Sequence, residues 1–366
     1  MKVLVTGATG FLGTHLVKRF LENGWTVVGL DRDRFYFWGD LEKEIELHLL
    51  DVREILSHAR LFTGVDCVVH CAAALHDSPE EEIRSVNLGG TKAVLDLCLK
   101  NDIPRFLFCS STVVYGYFEF HPPVPEETPL APQHPYAVSK AECESMLEGY
   151  RANGLNASVF RPKSFIGAGR FGVFQLLCDW IHRGAPVPLI GGGGNRYQLM
   201  GVSDLAEGVY RMATMPIRNV TLNLGAETFG TVRQDLGALV FHAGTGSRLI
   251  RLPAAPTKFA LTVIEKLGLT QMWAWHYKTA DRDCYVDTSR ARALIGWDPA
   301  QSNLDALKET YDWYVANVDA FQGKIGLGHH GVLWRERLLT VARDILARTC
   351  RRGRRSSPAA RRGRDV

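Results

Sequence analysis

Short apolar runs punctuate the first half of the chain, at residues 2–5, 26–30, 47–51, 67–72, 106–110 and 158–161. Most are apolar throughout, the pattern of strands covered on both faces rather than one. Between several of them the spacing changes to a helical period, at 11–23, 83–100 and 136–153, and the first of these stretches ends at Gly24, a suitable C-cap. Strands alternating with helices imply parallel pairing through right-handed crossovers, so the pattern predicts an α/β fold with a doubly wound parallel (Rossmann) sheet. In such sheets ligands bind beyond the carboxyl ends of the strands.

After Arg161 the pattern loosens. Glycine-rich stretches at 167–172 and 184–194 interrupt helix-like ones, and 304–318 reads as a late helix. This predicts a cofactor domain at 1–164 with a returning segment at about 196–225. A smaller substrate domain takes 165–195 and 226–325, and a basic tail takes 326–366. The 366 residues are 46% hydrophobic and 22% charged, which suits a globular protein with a sizeable core and excludes a disordered or collagen-like chain. No apolar run reaches the roughly 18 residues of a membrane span, and the first strand starts too early for a signal peptide; the expected location is the cytoplasm. Eight cysteines contain no C-x-x-C pair, so free thiols are expected and no metal site.

Strand 2–5 leads through Thr6 into Gly7-Ala8-Thr9-Gly10-Phe11-Leu12-Gly13 and then a helix. Gly7 permits a tight turn, Gly10 lets backbone approach a pyrophosphate, and Gly13 lets helix and strand pack closely. The helix N-terminus supplies N–H groups and positive dipole to phosphate. Gly7, Thr9, Gly10, Phe11, Leu12 and Gly13 are therefore assigned to a dinucleotide. Asp31 ends the next strand, where a carboxylate accepts from a ribose 2′-OH and repels a 2′-phosphate; this favours NAD over NADP. Arg32 and Arg34 follow directly and are the residues that could instead meet a 2′-phosphate.

Tyr136 and Lys140 stand four apart on a predicted helix, hence on one face. A phenol with an ordinary pKa near 10 is a poor base at neutral pH, and a neighbouring ammonium favours its ionised form. Tyr136 can then exchange a proton with a substrate hydroxyl. Ser110, Ser111 and Thr112 sit at a strand's carboxyl end and offer hydroxyls to orient the substrate oxygen.

The spacing T-G-x-x-G-x-x-G, together with these landmarks, resembles the short-chain dehydrogenase/reductase superfamily. His70-Cys71-Ala72-Ala73, Val86-Asn87-Leu88-Gly89-Gly90-Thr91 and Asp287-Thr288-Ser289-Arg290-Ala291 extend the likeness. It reaches Tyr314 and points to the extended, NAD-dependent epimerase/dehydratase branch. The resemblance implies that Asp51 and Val52 face the adenine and that Ala72 and Ala73 lie under the cofactor. It further assigns Arg32, Asn87 and Pro162 to the cofactor, and gives Lys140 a second role on the nicotinamide ribose. It makes Ser111 the catalytic hydroxyl, with Ser110 and Thr112 as rivals. Where 4,6-dehydratases of this branch carry Thr-Asp-Glu, this chain has Ser111-Thr112-Val113, so elimination of water is disfavoured. On the substrate side the resemblance implies Thr112, Lys163, Ser164, Arg196 and Lys278. Arg196 is one residue off the usual spacing, with Tyr197 in its place. Two cations in one pocket would suit a nucleotide diphosphate.

The expected function is an NAD-dependent epimerase or oxidoreductase that acts on a secondary hydroxyl of a nucleotide sugar through a transient ketone. A homodimer is expected, and no nucleic acid. Aromatic runs at Phe35-Tyr36-Phe37-Trp38 and Met272-Trp273-Ala274-Trp275-His276-Tyr277 leave open an apolar alcohol, as in a 3β-hydroxysteroid-type dehydrogenase or ketone reductase, or else a core or dimer face. A non-catalytic dinucleotide-binding protein is the third class. The net charge of +4 is uneven: 329–366 holds 11 Arg against 3 acids, leaving −4 on 1–328. Within it, Trp334, Leu338, Leu339, Val341, Ala342, Ile345 and Leu346 share an arc of roughly 160° at helical spacing. Such a segment, 332–355, either packs on the body or a second subunit, or lies on an anionic membrane surface.

Overall fold

The computed structural model describes residues 1–34, 41, 43–117, 121–170, 172–267 and 273–321. The aromatic run at 35–38 and the basic segment at 332–355 lie outside them.

Seven strands form a parallel sheet in the order β10-β6-β5-β4-β1-β2-β3. They are β1 (Lys2–Thr6), β2 (Thr26–Asp31), β3 (Glu46–Leu49), β4 (Cys67–His70), β5 (Phe106–Cys109), β6 (Ala157–Pro162) and β10 (Thr221–Leu224). The order reverses beside β1, whose register sets Val3 against Val27 on one side and Cys67 on the other. Crossovers leave β1 in opposite directions there, and the crevice at its carboxyl end is the ligand position of such sheets.

One face is covered by α1 (Phe11–Glu22) and α6 (Val202–Thr214), around Leu16, Phe20, Val209 and Met212. The other carries the 3₁₀ turns of Val52–Phe62, then α2 (Glu80–Ile83), α3 (Thr91–Lys100) and α4 (Pro135–Ala152), around Ile55, Val94, Cys98 and Leu147. The apolar runs are continuous because both faces are buried.

A second core forms where β7 (Phe165–Ile166), β8 (Val187–Ile190), β9 (Met200–Gly201) and β11 (Leu249–Leu252) meet α5 (Val173–His182), α7 (Val232–Ala243) and α11 (Asn303–Phe321). β8 pairs with β11 and β7 with β9, both in parallel. The remaining helices are α8 (Ala254–Lys266), α9 (Ala274–Lys278) and α10 (Ser289–Ile295).

Two boundaries differ from the pattern. The run at 47–51 stops at Leu49, because Asp51 turns to cap the following 3₁₀ segment by accepting from Arg53 N. The stretch at 83–100 is three pieces, with a wide π turn at Arg84–Gly90 between α2 and α3. Gly90 sits there because a Cβ would come within 2.6 Å of Val52 Cγ1.

Candidate active site

Leu30 O accepts from Gly7 N at 2.8 Å and from Ala8 N at 3.2 Å, turning the chain tightly off β1. Gly7 has φ +71°, and a Cβ would fall 2.8 Å from Ala72 N. At Gly13 a Cβ would lie 1.9 Å from Gly7 O, so only glycine fits this crossing. Among the described residues no side chain caps the N-terminus of α1. Uncapped N–H groups above a cradle that a Cβ would fill are what a pyrophosphate requires.

Asp31 accepts from Thr9 N at 2.9 Å and Arg32 N at 2.8 Å. Burial pushes its carboxyl up, and these bonds, with the Thr9 hydroxyl, pull it down. The rivalry between NAD and NADP is thereby narrowed: Arg32 is engaged with Asp33 and Glu82, at 3.1 Å each, rather than left over for a 2′-phosphate. Asp51 is held below the usual carboxylate range by Arg53, first through their side-chain hydrogen bonds. Val52 is buried against Gly90.

His70, fully buried, is bracketed by Thr6 Oγ1 at 2.7 Å and Thr91 Oγ1 at 2.9 Å. Burial, helped by the Lys140 charge, lowers its pKa to about 3, so it is neutral and structural. Asn87 differs from the expected cofactor contact. Its oxygen accepts from Ala74 N at 2.8 Å, and its amide donates to Ala74 O at 3.1 Å and Ser139 Oγ at 2.8 Å. Both its N–H groups are committed, and it fastens the Ala72–Ala74 floor to α4.

α4 carries Tyr136 and Lys140 with Pro135 in its first turn, and His134 caps it by accepting from Tyr136 N at 3.3 Å. Lys140 Nζ donates to Cys109 O at 2.8 Å and sits 5.7 Å from the Tyr136 ring centre. Burial raises the Tyr136 phenol, while Lys140 and then Arg170 pull it down. For Lys140, burial lowers the pKa, but Tyr136 and the thiols of Cys109, Cys143 and Cys71 outweigh it and the net shift is upward. The ammonium therefore stays charged.

The structure separates the three hydroxyls at the end of β5. Ser110 is buried and donates to Glu144 Oε1, and Glu144 is in turn paired with Arg161. Thr112 is buried and donates to the Pro162 carbonyl at 3.3 Å. Ser111 alone is partly open, its side chain accepting from Val113 N at 3.3 Å at the start of a 3₁₀ turn.

On the substrate side, Lys163 is 1% exposed, donates to Cys284 Sγ at 3.0 Å and lies 4.9 Å over the Tyr197 ring. Ser164 hydrogen-bonds Tyr197. Arg196 and its neighbour turn to opposite sides. The Arg196 guanidinium is exposed, stacked 4.5 Å over Phe229 and 5.2 Å over Tyr285, whereas the Tyr197 hydroxyl accepts from Trp275 inside. Arg196 is thus held by aromatic rings at the surface, while Tyr197 is turned inward. Lys278 Nζ lies 4.8 Å over Tyr117. Trp275 and Tyr277 are core residues rather than an open apolar wall.

Trp273 and His276 of the same aromatic run meet residues that carry no motif. Trp273 lies edge-on to His76 at 4.6 Å, to His134 at 5.1 Å and to His276 at 6.1 Å. Burial lowers His76 to about 4 and His276 to about 3, so both are neutral. Arg170 stands over Phe11 and Phe165 at 5.2 and 5.4 Å. These come from separate segments, and no spacing announces them.

The profile of the NAD dependent epimerase/dehydratase family matches residues 3–225. The chain belongs to this family. It is 35% identical to the uncharacterised protein y4nG of Sinorhizobium fredii, over 92% of this chain and 84% of that one. A dTDP-glucose 4,6-dehydratase of Streptomyces antibioticus is 28% identical, over 87% of this chain and 93% of its own. Among solved structures, a UDP-glucose 4-epimerase of Thermotoga maritima, with UDP-glucose, shares the fold with a TM-score of 0.72 and 22% identity, covering 87% of this chain and all of its own. The family's cofactor is NAD, which the glycine cradle and uncapped α1 fit, and no described helix is long and apolar enough to cross a membrane.

Proposed function

We propose that the protein oxidises a secondary hydroxyl of a nucleotide sugar to a transient ketone and reduces it again from the other face, as an epimerase. The supporting observation is that Lys140, 5.7 Å from the Tyr136 ring, bonds Cys109 O at the carboxyl end of β5, two residues before the partly open Ser111, with Ser110 and Thr112 both turned into the protein. Tyr136 Oη takes the hydroxyl proton as the ketone forms and returns it when the alcohol re-forms. Lys140, held by Cys109 O, keeps a positive charge beside the phenol and offsets part of the cost of ionising it in a buried place. Ser111 donates to the reacting oxygen and fixes its position. NAD, when bound, supplies the hydride acceptor.

Epimerisation is preferred to dehydration because, by the resemblance to dehydratases that carry Thr-Asp-Glu, Thr112 and Val113 stand where the acid and base would be, and neither carries a carboxyl group. The test is to incubate the protein with UDP- and dTDP-sugars and follow the products by NMR. The expected product is the C4 epimer, without accumulation of NADH. A 4-keto-6-deoxy sugar would sink this reading in favour of a dehydratase. Tyr136→Phe is expected to lower turnover by roughly 10²- to 10⁴-fold while leaving NAD bound.

A further inference from the structure

The loop after β7 turns through Gly167, Gly169 and Gly172, at φ +154°, +88° and +84°. It brings Arg170 onto two rings that are themselves stacked, Phe11 and Phe165, with centres 5.7 Å apart and planes 5° from parallel. Phe11 is the first residue of α1, the helix whose N-terminal N–H groups no described side chain caps. The guanidinium makes no hydrogen bond or ion pair with any described residue, and its Nε is a buried donor without a partner. A half-buried cation whose Nε is shut off from water without a partner is unfavourable, and its complement is an oxyanion that accepts from the guanidinium fork.

We propose that Arg170 is the cationic partner of the cofactor's pyrophosphate, closing the phosphate site from the side opposite the glycine loop. The proposal rests on the reading of this chain as an NAD-binding protein. The aromatic platform presents the charge beside the helix terminus that takes the phosphates, and contact of the guanidinium with both rings orients the fork before the ligand arrives. Burial lowers the Arg170 pKa to about 10, which leaves it charged at neutral pH. The same charge acts on Tyr136 and on His76 and His276, so Arg170 links the phosphate end of the cleft to its catalytic end. An anionic group on the substrate is the other source of such an oxyanion, and the experiment separates the two.

Wild type, Arg170→Gln and Arg170→Met are stripped of nucleotide, checked by thermal melting, and titrated calorimetrically with NAD and with ADP-ribose, which keeps the pyrophosphate but lacks nicotinamide. Arg170→Met retains an apolar stem on the two rings should the glutamine variant fail to fold. The expected result is that both ligands weaken together by roughly ten- to a hundredfold. Wild-type affinity for both ligands in a folded variant would overturn the proposal, and a raised KM for substrate alongside it would hand Arg170 to the substrate's anion. A wild-type protein that binds no NAD would instead remove the cofactor reading itself.

Discussion

Gly13 and Gly149 are both helical glycines, yet their surroundings are opposite. A Cβ at Gly13 would meet Gly7 O at 1.9 Å, whereas nothing lies within 4 Å of one at Gly149. Gly13→Ala must push α1 off the phosphate loop, so it is expected to cost about 1–3 kcal/mol in urea unfolding and to abolish NAD binding by calorimetry. Gly149→Ala is expected to stabilise by about 0.5–1 kcal/mol in the same assay, because helix interiors favour alanine. The buried histidines make the acid side of stability a second matter of single residues. His70 titrates near 3 in the fold and near 6.5 when unfolded, so protonation favours the unfolded chain. Its contribution is therefore complete above about pH 6.5 and is lost as pH falls toward 3, with about 2 kcal/mol gone at pH 5. His70→Asn is expected to flatten the fall of unfolding free energy between pH 7 and 5, and an unchanged slope would count against it. At this scale the glycine triplet and the Tyr136/Lys140 pair were legible, because each needs a fixed local spacing. Arg170, His76 and His276 were not, because the surroundings that give them meaning are assembled from distant segments.

The helix that carries Tyr136 is fastened at three heights. His134 caps its first turn, Ser139 is bonded by Asn87, and Glu144 meets Arg161 of β6 at 2.5 to 3.2 Å. Arg161 continues to Tyr115 at 2.7 Å and Glu126 O at 3.0 Å, and Tyr115 donates to Asn223 of β10 at 2.9 Å. α4, β6 and β10 are thereby locked into one polar network inside the protein. Glu144→Ala leaves a buried guanidinium unpaired and is expected to destabilise by about 3–5 kcal/mol, read by denaturant unfolding. A Glu144→Leu, Arg161→Met pair should recover much of that stability without restoring turnover fully, because the replaced groups also set the tilt of Tyr136. The capping histidine adds a smaller effect: His134→Ala should weaken α4 by about 1 kcal/mol, and His134→Asn should retain the cap. The first six sheet strands and α1 could be read from periodicity, since burial on both faces leaves a continuous apolar run. The π turn at Arg84–Gly90 could not, because the close approach of Gly90 to Val52 joins residues 38 apart in sequence.

For the molecule as a whole, the sheet was the legible half. The second core was hidden because two of its strands, β7 and β9, are only two residues long and the pairing of β8 with β11 joins segments some 60 residues apart in sequence. Charge divides the chain differently from fold. No residue proposed for cofactor or catalysis lies beyond Arg170, and the last described helix ends at Phe321, whereas the net charge of +8 belongs to 329–366. Ending the chain at residue 328 should therefore leave kcat and NAD affinity within about twofold of the full chain while turning the net charge from +4 to −4. The shorter protein is expected to bind an anion exchanger at pH 7, where the full chain does not. If the Arg-rich segment serves an anionic surface, only the full chain will sediment with vesicles containing phosphatidylserine, and added salt will release it as the attraction is screened. Equal sedimentation of the two chains would exclude that role, and a change of oligomeric state on shortening would place the segment against a second copy instead.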